Sequence, residues 1–219
     1  MEISVQAAHE ETVRPEIGRL HAGVRVEAGS KTEVLRTATG VVQLLQSELN
    51  RLHERGAVAE VVVRPLSTST WRPVVKGRQA PPIFRAYAGL QADFTDFMAL
   101  ADLAAQFGDT DGLELHWVEW RLTDDSRRAL EEVCLTRAVE QARERALVMA
   151  RAAGEAGVRF IQLADPGLMG ERSAQPEVLA AAAPGRMRGA MASDQLAGIE
   201  LQPADLTVGV VVQARFITD

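Results

Sequence analysis

Along residues 19–28, Leu20, Ala22, Val24 and Val26 alternate with His21, Gly23, Arg25 and Glu27. A repeat of two marks a half-buried strand. Gly29 ends the run, and Ser30 and Glu33 then stand at the spacing of a capping box. Behind them Val34, Leu35, Ala38, Val41, Val42, Leu45, Leu49 and Leu52 recur at steps of three and four. That period predicts an amphipathic helix closing near Gly56. Residues 3–7 alternate over a shorter stretch and predict a short strand. Residues 58–71, rich in Val, Ser and Thr, and residues 83–94 predict two long strands. The prolines and glycine of 72–82 make the connection, so the pair is expected as an antiparallel hairpin with a long tip.

Further on, Thr95 or Asp96 can cap a helix over 96–107 that ends at Gly108. Asp109-Thr110-Asp111-Gly112 reads as a turn. Residues 113–123 alternate Leu113, Leu115 and Trp117 against Glu114, His116 and Val118, which predicts a strand. Trp117 and Trp120 are three apart, so one is expected in the core and the other exposed or in an interface. Residues 124–154 form the longest helical stretch, with a predicted buried stripe of Leu130, Val133, Cys134, Ala138, Ala142, Ala146, Ala150 and Ala153. Alanine at nearly every fourth position lets a helix lie close to a sheet. Strands follow at 158–164 and 206–217. Residues 166–203 hold four of the nine prolines, five of the seventeen glycines and three of the six methionines. They predict a long loop or arm inserted before the last strand, with a short helix over 177–183 begun by Pro176 and stopped by Pro184. The order predicts one α+β domain over residues 1–219: an antiparallel mixed sheet packed by one medium and one long helix, with a long β-hairpin.

Composition narrows the class. The 219 residues are 47% hydrophobic and 25% charged, a globular balance, and the net charge of −6 speaks against a dedicated nucleic-acid binder. Cys134 is the lone cysteine, which excludes an intramolecular disulfide and fits a reducing compartment. The start, with Glu2, Glu10 and Glu11, lacks a basic segment followed by an apolar run, and no stretch is apolar enough to span a membrane. The expectation is a cytoplasmic protein.

Candidate chemistry is sparse. His9, His21, His53 and His116 make no i, i+4 pair, and no Cys-x-x-Cys occurs, so no metal site or cofactor is expected. Asp109–Gly112 lacks the downstream Glu of a calcium loop, its place being taken by Val118. Neither a nucleophile elbow nor a phosphate-binding loop is present. Cys134, beside Val133 and Leu130, reads as inert packing. Charge is more informative. Residues 61–92 carry Arg64, Arg72, Lys76, Arg78 and Arg85 and no acid, whereas residues 93–125 carry nine acids against Arg121. Two such faces are separately solvated, or self-complementary, the basic hairpin of one copy meeting the acidic side of the next. A third, weaker reading is anionic ligand binding on the hairpin, where Trp71 and Tyr87 lie near the arginines, although no RNA-binding module is present.

The element order resembles the SIMPL family, a domain of unknown function. The stretch 138–146 (AVEQARERA), continuing to Ala150 and Gly154, looks like that family's alanine-spaced helix with its closing glycine. Phe84-Arg85-Ala86 with Leu90 looks like its aromatic-led strand, residues 113–124 like the strand ending in an acidic turn, and residues 208–216 like the closing strand. The resemblance implies an α+β fold, a tendency to form closed homo-oligomers and no established enzyme activity. By the resemblance, known relatives are bacterial proteins usually exported to the periplasm or envelope, some linked to immunogenicity or oxidative stress.

The expected function is therefore non-enzymatic: homo-oligomeric assembly and protein binding, with a stress-related role implied by the resemblance. Arg64, Trp71, Arg72, Lys76, Arg78, Arg85 and Tyr87 are the candidate interface residues. The competing expectation is a small-molecule or peptide binding module in which the 166–203 arm, bearing Met169, Met187 and Met191, closes as a lid. An enzyme would need polar groups such as Arg85, Glu119 and Tyr87 to converge in a cleft.

Overall fold

A computed structural model describes residues 1–75, 77–169 and 202–219. Among the described residues, three helices and antiparallel strands make an α+β fold. The described chain divides into two compact units, one from residues 1–14, 122–169 and 205–219, the other from residues 15–121. Each is an antiparallel sheet backed by a long helix. The expected helix at 177–183, and Lys76, Met187 and Met191, lie outside the described residues.

In the first unit, β1 (Glu2–Val13), β10 (Leu206–Thr218) and β9 (Val158–Ala164) form a sheet in the order β1-β10-β9. β1 runs well past the short strand expected from its alternation, because pairing continues from Glu2↔Ile217 to Val13↔Leu206. Its second half is polar and shows no apolar alternation; the backbone ladder to β10 holds it. α3 (Asp124–Ala152) covers one face of this sheet. Thr123 caps it by accepting from the Ser126 amide at 3.2 Å. Its buried stripe is Cys134, Ala138, Ala142, Ala146 and Ala150, all at 0% exposure. Four of these alanines pack against Ile3, Val5, Val212, Ala214 and Phe216. Val133, expected in the stripe, is 48% exposed. The buried row follows strict steps of four, which leaves the residue before Cys134 about 100° round the helix.

In the second unit, β7 (Ile83–Phe94) and β2 (Ile17–Ala28) are central. β8 (Leu113–Arg121) flanks β2, while β3 (Val58–Val63) and β4 (Ser67–Trp71) share the other edge of β7. The single strand expected over 58–71 is thus two. Pro65 has no amide hydrogen to give the ladder, and residues 64–66 bow out opposite Ala88 and Gly89. The Arg64 amide still donates to the Gly89 carbonyl at 2.8 Å. The hairpin expectation is met: β3 and β4 are antiparallel to β7. Its tip is a small ribbon of β5 (Val74–Val75) and β6 (Arg78–Gln79).

α1 (Lys31–Glu54) begins as expected, the Ser30 hydroxyl accepting from the Glu33 amide at 3.2 Å. Val34, Ala38, Leu45, Leu49 and Leu52 are buried against Leu20, Val24, Ala88, Leu90 and Phe94. α2 (Phe97–Phe107) is capped by Asp96, whose carboxylate accepts from Met98 and Ala99, and adds Leu100, Leu103 and Phe107 to the same core. Asp109–Gly112 is a turn, closed by the Leu113 amide donating to the Thr110 carbonyl, with Gly112 at φ 78°.

Candidate functional site

The helices of the second unit cover the even-numbered side of β2 and β7. The other side is polar: Arg19, His21, Gly23, Arg25 and Glu27 stand opposite Asp93, Gln91, Gly89, Tyr87 and Arg85 in register. On β8 the register slips by one residue, because Trp117 pairs with His21 and Leu115 with Ala22. His116 is the extra residue of that bulge. A bulge re-aims side chains, and this one corrects the expected phase of β8. Trp117 leaves the side of Leu113 and Leu115 and is 42% exposed, whereas Val118 and Trp120 pack on the core. Trp120 lies over Gly18, its directly paired partner, and meets Phe97 edge-on at 4.9 Å. So the two tryptophans do part to opposite sides, Trp120 to the core.

At one end of the polar face Asp93, only 6% exposed, accepts from Arg19 Nε at 2.6 Å and from the Arg19 terminal nitrogen at 2.7 Å. Those hydrogen bonds raise the Arg19 pKa above its ordinary value. Arg121 approaches the same carboxylate at 4.0 Å. Next along, Gln91 Nε2 lies 3.3 Å from His21 Nδ1, and His21 Nε2 lies 3.3 Å from Glu119. Trp117 stacks on the His21 ring at 4.5 Å and 16°.

In the middle, Gly23 and Gly89 face each other. A Cβ on Gly23 would sit 2.8 Å from His116 Nε2, 3.1 Å from Tyr87 Cε2 and 3.4 Å from the Tyr87 hydroxyl. A Cβ on Gly89 would sit 3.4 Å from Arg64 Cδ and 3.6 Å from the same hydroxyl. The paired glycines thus form a saddle into which three polar side chains from three different strands or bends lean.

Of the expected interface residues, Arg64 and Tyr87 are brought together at this saddle. Arg85 lies further along β7 and donates to Glu27 at 2.6 Å. Trp71, 44% exposed, is opposite Ile83 at the far end of β4, and Arg72 and Arg78 are exposed on the hairpin tip. Glu119 pairs with Arg19, which pairs with Asp93, six residues from Tyr87 along β7. That is about 20 Å at strand rise, so Arg85, Tyr87 and Glu119 do not converge. His116, the bulged residue, is the member of the saddle that residue spacing had not singled out. No group of three or more His, Cys, Asp or Glu in a metal-holding arrangement occurs among the described residues, and none of the described helices is long and apolar enough to cross a membrane.

In the first unit, Gln141 Nε2 lies 3.1 Å from His9 Nδ1, and Arg145 donates to the Gln6 carbonyl at 3.4 Å, beside a shallow open depression. Cys134 is buried and its thiol donates to the Val208 carbonyl at 3.4 Å. Burial pushes its pKa up, and the Glu11 carboxylate adds to the rise. A raised pKa and no access both disfavour the thiolate. Native protein is therefore expected to react with a thiol reagent about a hundredfold or more slowly than the urea-unfolded chain. Equal rates would show that α3 lifts readily from its sheet.

β9 is an edge strand: it pairs with β10 alone among the described strands. Phe160, Ile161 and Leu163 on it are 39%, 52% and 50% exposed. Phe160 rests against Phe216 at 4.3 Å, and the ladder slips at Ile161.

Among the described residues, two larger antiparallel sheets, each backed by a long helix, and a small two-stranded ribbon define an α+β protein. The SIMPL family model, described as a protein of unknown function (DUF541), matches residues 3–216 across both units, and the chain belongs to that family. No curated protein matches the chain.

Proposed function

We propose that this protein works without catalysis, as a homo-oligomeric binding protein whose copies join through the free edge of β9. The observation carrying this reading is an edge strand with three large apolar side chains left open to solvent, Phe160, Ile161 and Leu163. With no partner on its outer side among the described strands, such an edge is a template for pairing with another chain. The hairpin supports a second, electrostatic contribution: Arg64, Arg72 and Arg78 have no carboxylate partner among the described residues, whereas Arg85 is satisfied by Glu27.

Native mass spectrometry and light scattering at micromolar concentration test it. Wild-type protein should form a defined species above a dimer, and Ile161→Lys with Leu163→Lys should reduce it to smaller species with unchanged circular dichroism. Lysine on an edge strand is a natural block to pairing. Charge reversal at Arg72, Lys76 and Arg78, or added salt, should weaken assembly more modestly. A wild-type monomer would sink the proposal. Assembly that survives the edge lysines but dissolves on charge reversal would move the contact from β9 to the hairpin.

A further inference from the structure

The polar groups over the Gly23–Gly89 saddle have a common property: all three can donate, and none has an acceptor. Arg64 has no ion pair, the Tyr87 hydroxyl no hydrogen bond, and His116 no hydrogen bond or ion pair, only a tilted approach to Trp117 at 5.9 Å, among the described residues. The acids nearest in the ladder are already occupied. Glu114, opposite Gly23, pairs with Arg25 at 3.3 Å, and Glu27 is taken by Arg85. The saddle is thus a spot of uncompensated donors inside a face whose carboxylates are neutralised. That is the electrostatic signature of an anion site.

Three features indicate that the donors are gathered there by construction. The bulge at His116 turns the imidazole over the strand beside it. A Cβ at position 23 would force His116 to move from 2.8 Å and would crowd Tyr87 at 3.1 Å. The break between β3 and β4 lets the Arg64 stem cross Gly89. The neighbouring Trp117 has one face stacked on His21 and is otherwise 42% exposed. An exposed indole next to donors offers a flat apolar surface for a ring attached to the anion.

We propose that the Gly23–Gly89 saddle binds a small oxyanion carried on a flat ring, an aryl phosphate or aryl carboxylate. Arg64, His116 and the Tyr87 hydroxyl donate to its oxygens, and Trp117 stacks on the ring. This site lies wholly in the second unit, so it functions whether or not copies assemble through β9.

Calorimetric titration of the full chain with phenyl phosphate, benzoate and inorganic phosphate tests this. Phenyl phosphate or benzoate should saturate one site and quench tryptophan emission, the stronger of the two identifying the anion. Arg64→Gln should weaken binding at least about tenfold, the scale of one charge-assisted hydrogen bond. Gly23→Ala should do the same by displacing His116 and Tyr87. The atom it meets first is the far end of a side chain, so the melting temperature should barely move. Trp117→Leu should weaken the aryl ligands and leave inorganic phosphate unaffected. No saturable binding of either aryl ligand below roughly 10 mM, the weak end of specific affinity, would overturn the proposal. So would aryl binding that persists undiminished in both Arg64→Gln and Gly23→Ala.

Discussion

Replacing Ala146 with leucine is expected to destabilise the first unit by about 3 kcal/mol, the upper end for overpacking a tight core. Ala146 is fully buried in the middle of the α3 stripe, among Ala138, Ala142 and Ala150, and its cluster includes Ile3, Val5, Val212, Ala214 and Phe216. The three added carbons have nowhere to go. A row of alanines sets the helix close to the sheet, and the sheet side of the cluster is filled by Ile3, Val5, Val212, Ala214 and Phe216. Closely packed interiors cannot absorb such volume without moving an element. Val148→Leu, at a position 66% exposed on the same helix, should stay within about 0.5 kcal/mol of wild type. Urea denaturation reads both. If the two units unfold in separate transitions, only one of them should shift in Ala146→Leu. A variant as stable as wild type would mean that α3 does not depend on close approach.

Much of the architecture was legible because it rests on local rules. Ser30 and Asp96 cap helices where their hydroxyl and carboxylate predict, and the period of α1 matches its buried residues. The alanine repeat from 138 to 150 carried both the packing of α3 and the family resemblance, which the match over residues 3–216 shows. What local rules missed, pairing decided. The polar half of β1 is a strand because β10 lies beside it. The run 58–71 breaks because Pro65 cannot serve a ladder that the neighbouring valines and serines can. Period alone could not show that the strands sort into two helix-backed sheets.

The saddle was legible only in part. Arg64 and Tyr87 stood out through the charge block, but their meeting depends on the β3–β4 break and on two glycines paired across β2 and β7. Strict alternation placed His116 opposite Trp117 across the strand; the bulge brings both to the polar side. A one-residue slip exchanges the faces of everything beyond it. The same slip explains why Trp120, and not Trp117, reaches the core.

Asp93→Ala is expected to cost the second unit about 3 kcal/mol, because removing one member of a buried ion pair strands the other. Asp93 is 6% exposed and takes both donors of the Arg19 fork, with Arg121 4.0 Å away. Without the carboxylate, two guanidinium groups face each other across β2 and β8. The loss falls at the low end of the range for such pairs because the Arg19 side chain keeps 24% exposure and Glu60 lies 3.9 Å away. Asp93→Asn, which keeps the shape and one acceptor, should lose about half as much. The double variant Arg19→Met, Asp93→Leu should recover most of the stability, since a well-packed apolar pair can replace a buried salt bridge. The pH dependence has a definite sign. The Arg19 pKa is raised in the folded state, so its contribution is complete below the ordinary arginine value and is lost only as pH rises past the folded one. The gap between wild type and Asp93→Ala should therefore stay flat from neutral into mildly alkaline solution. A gap that closes between pH 7 and pH 9 would mean that some group other than Arg19 supplies the partner charge.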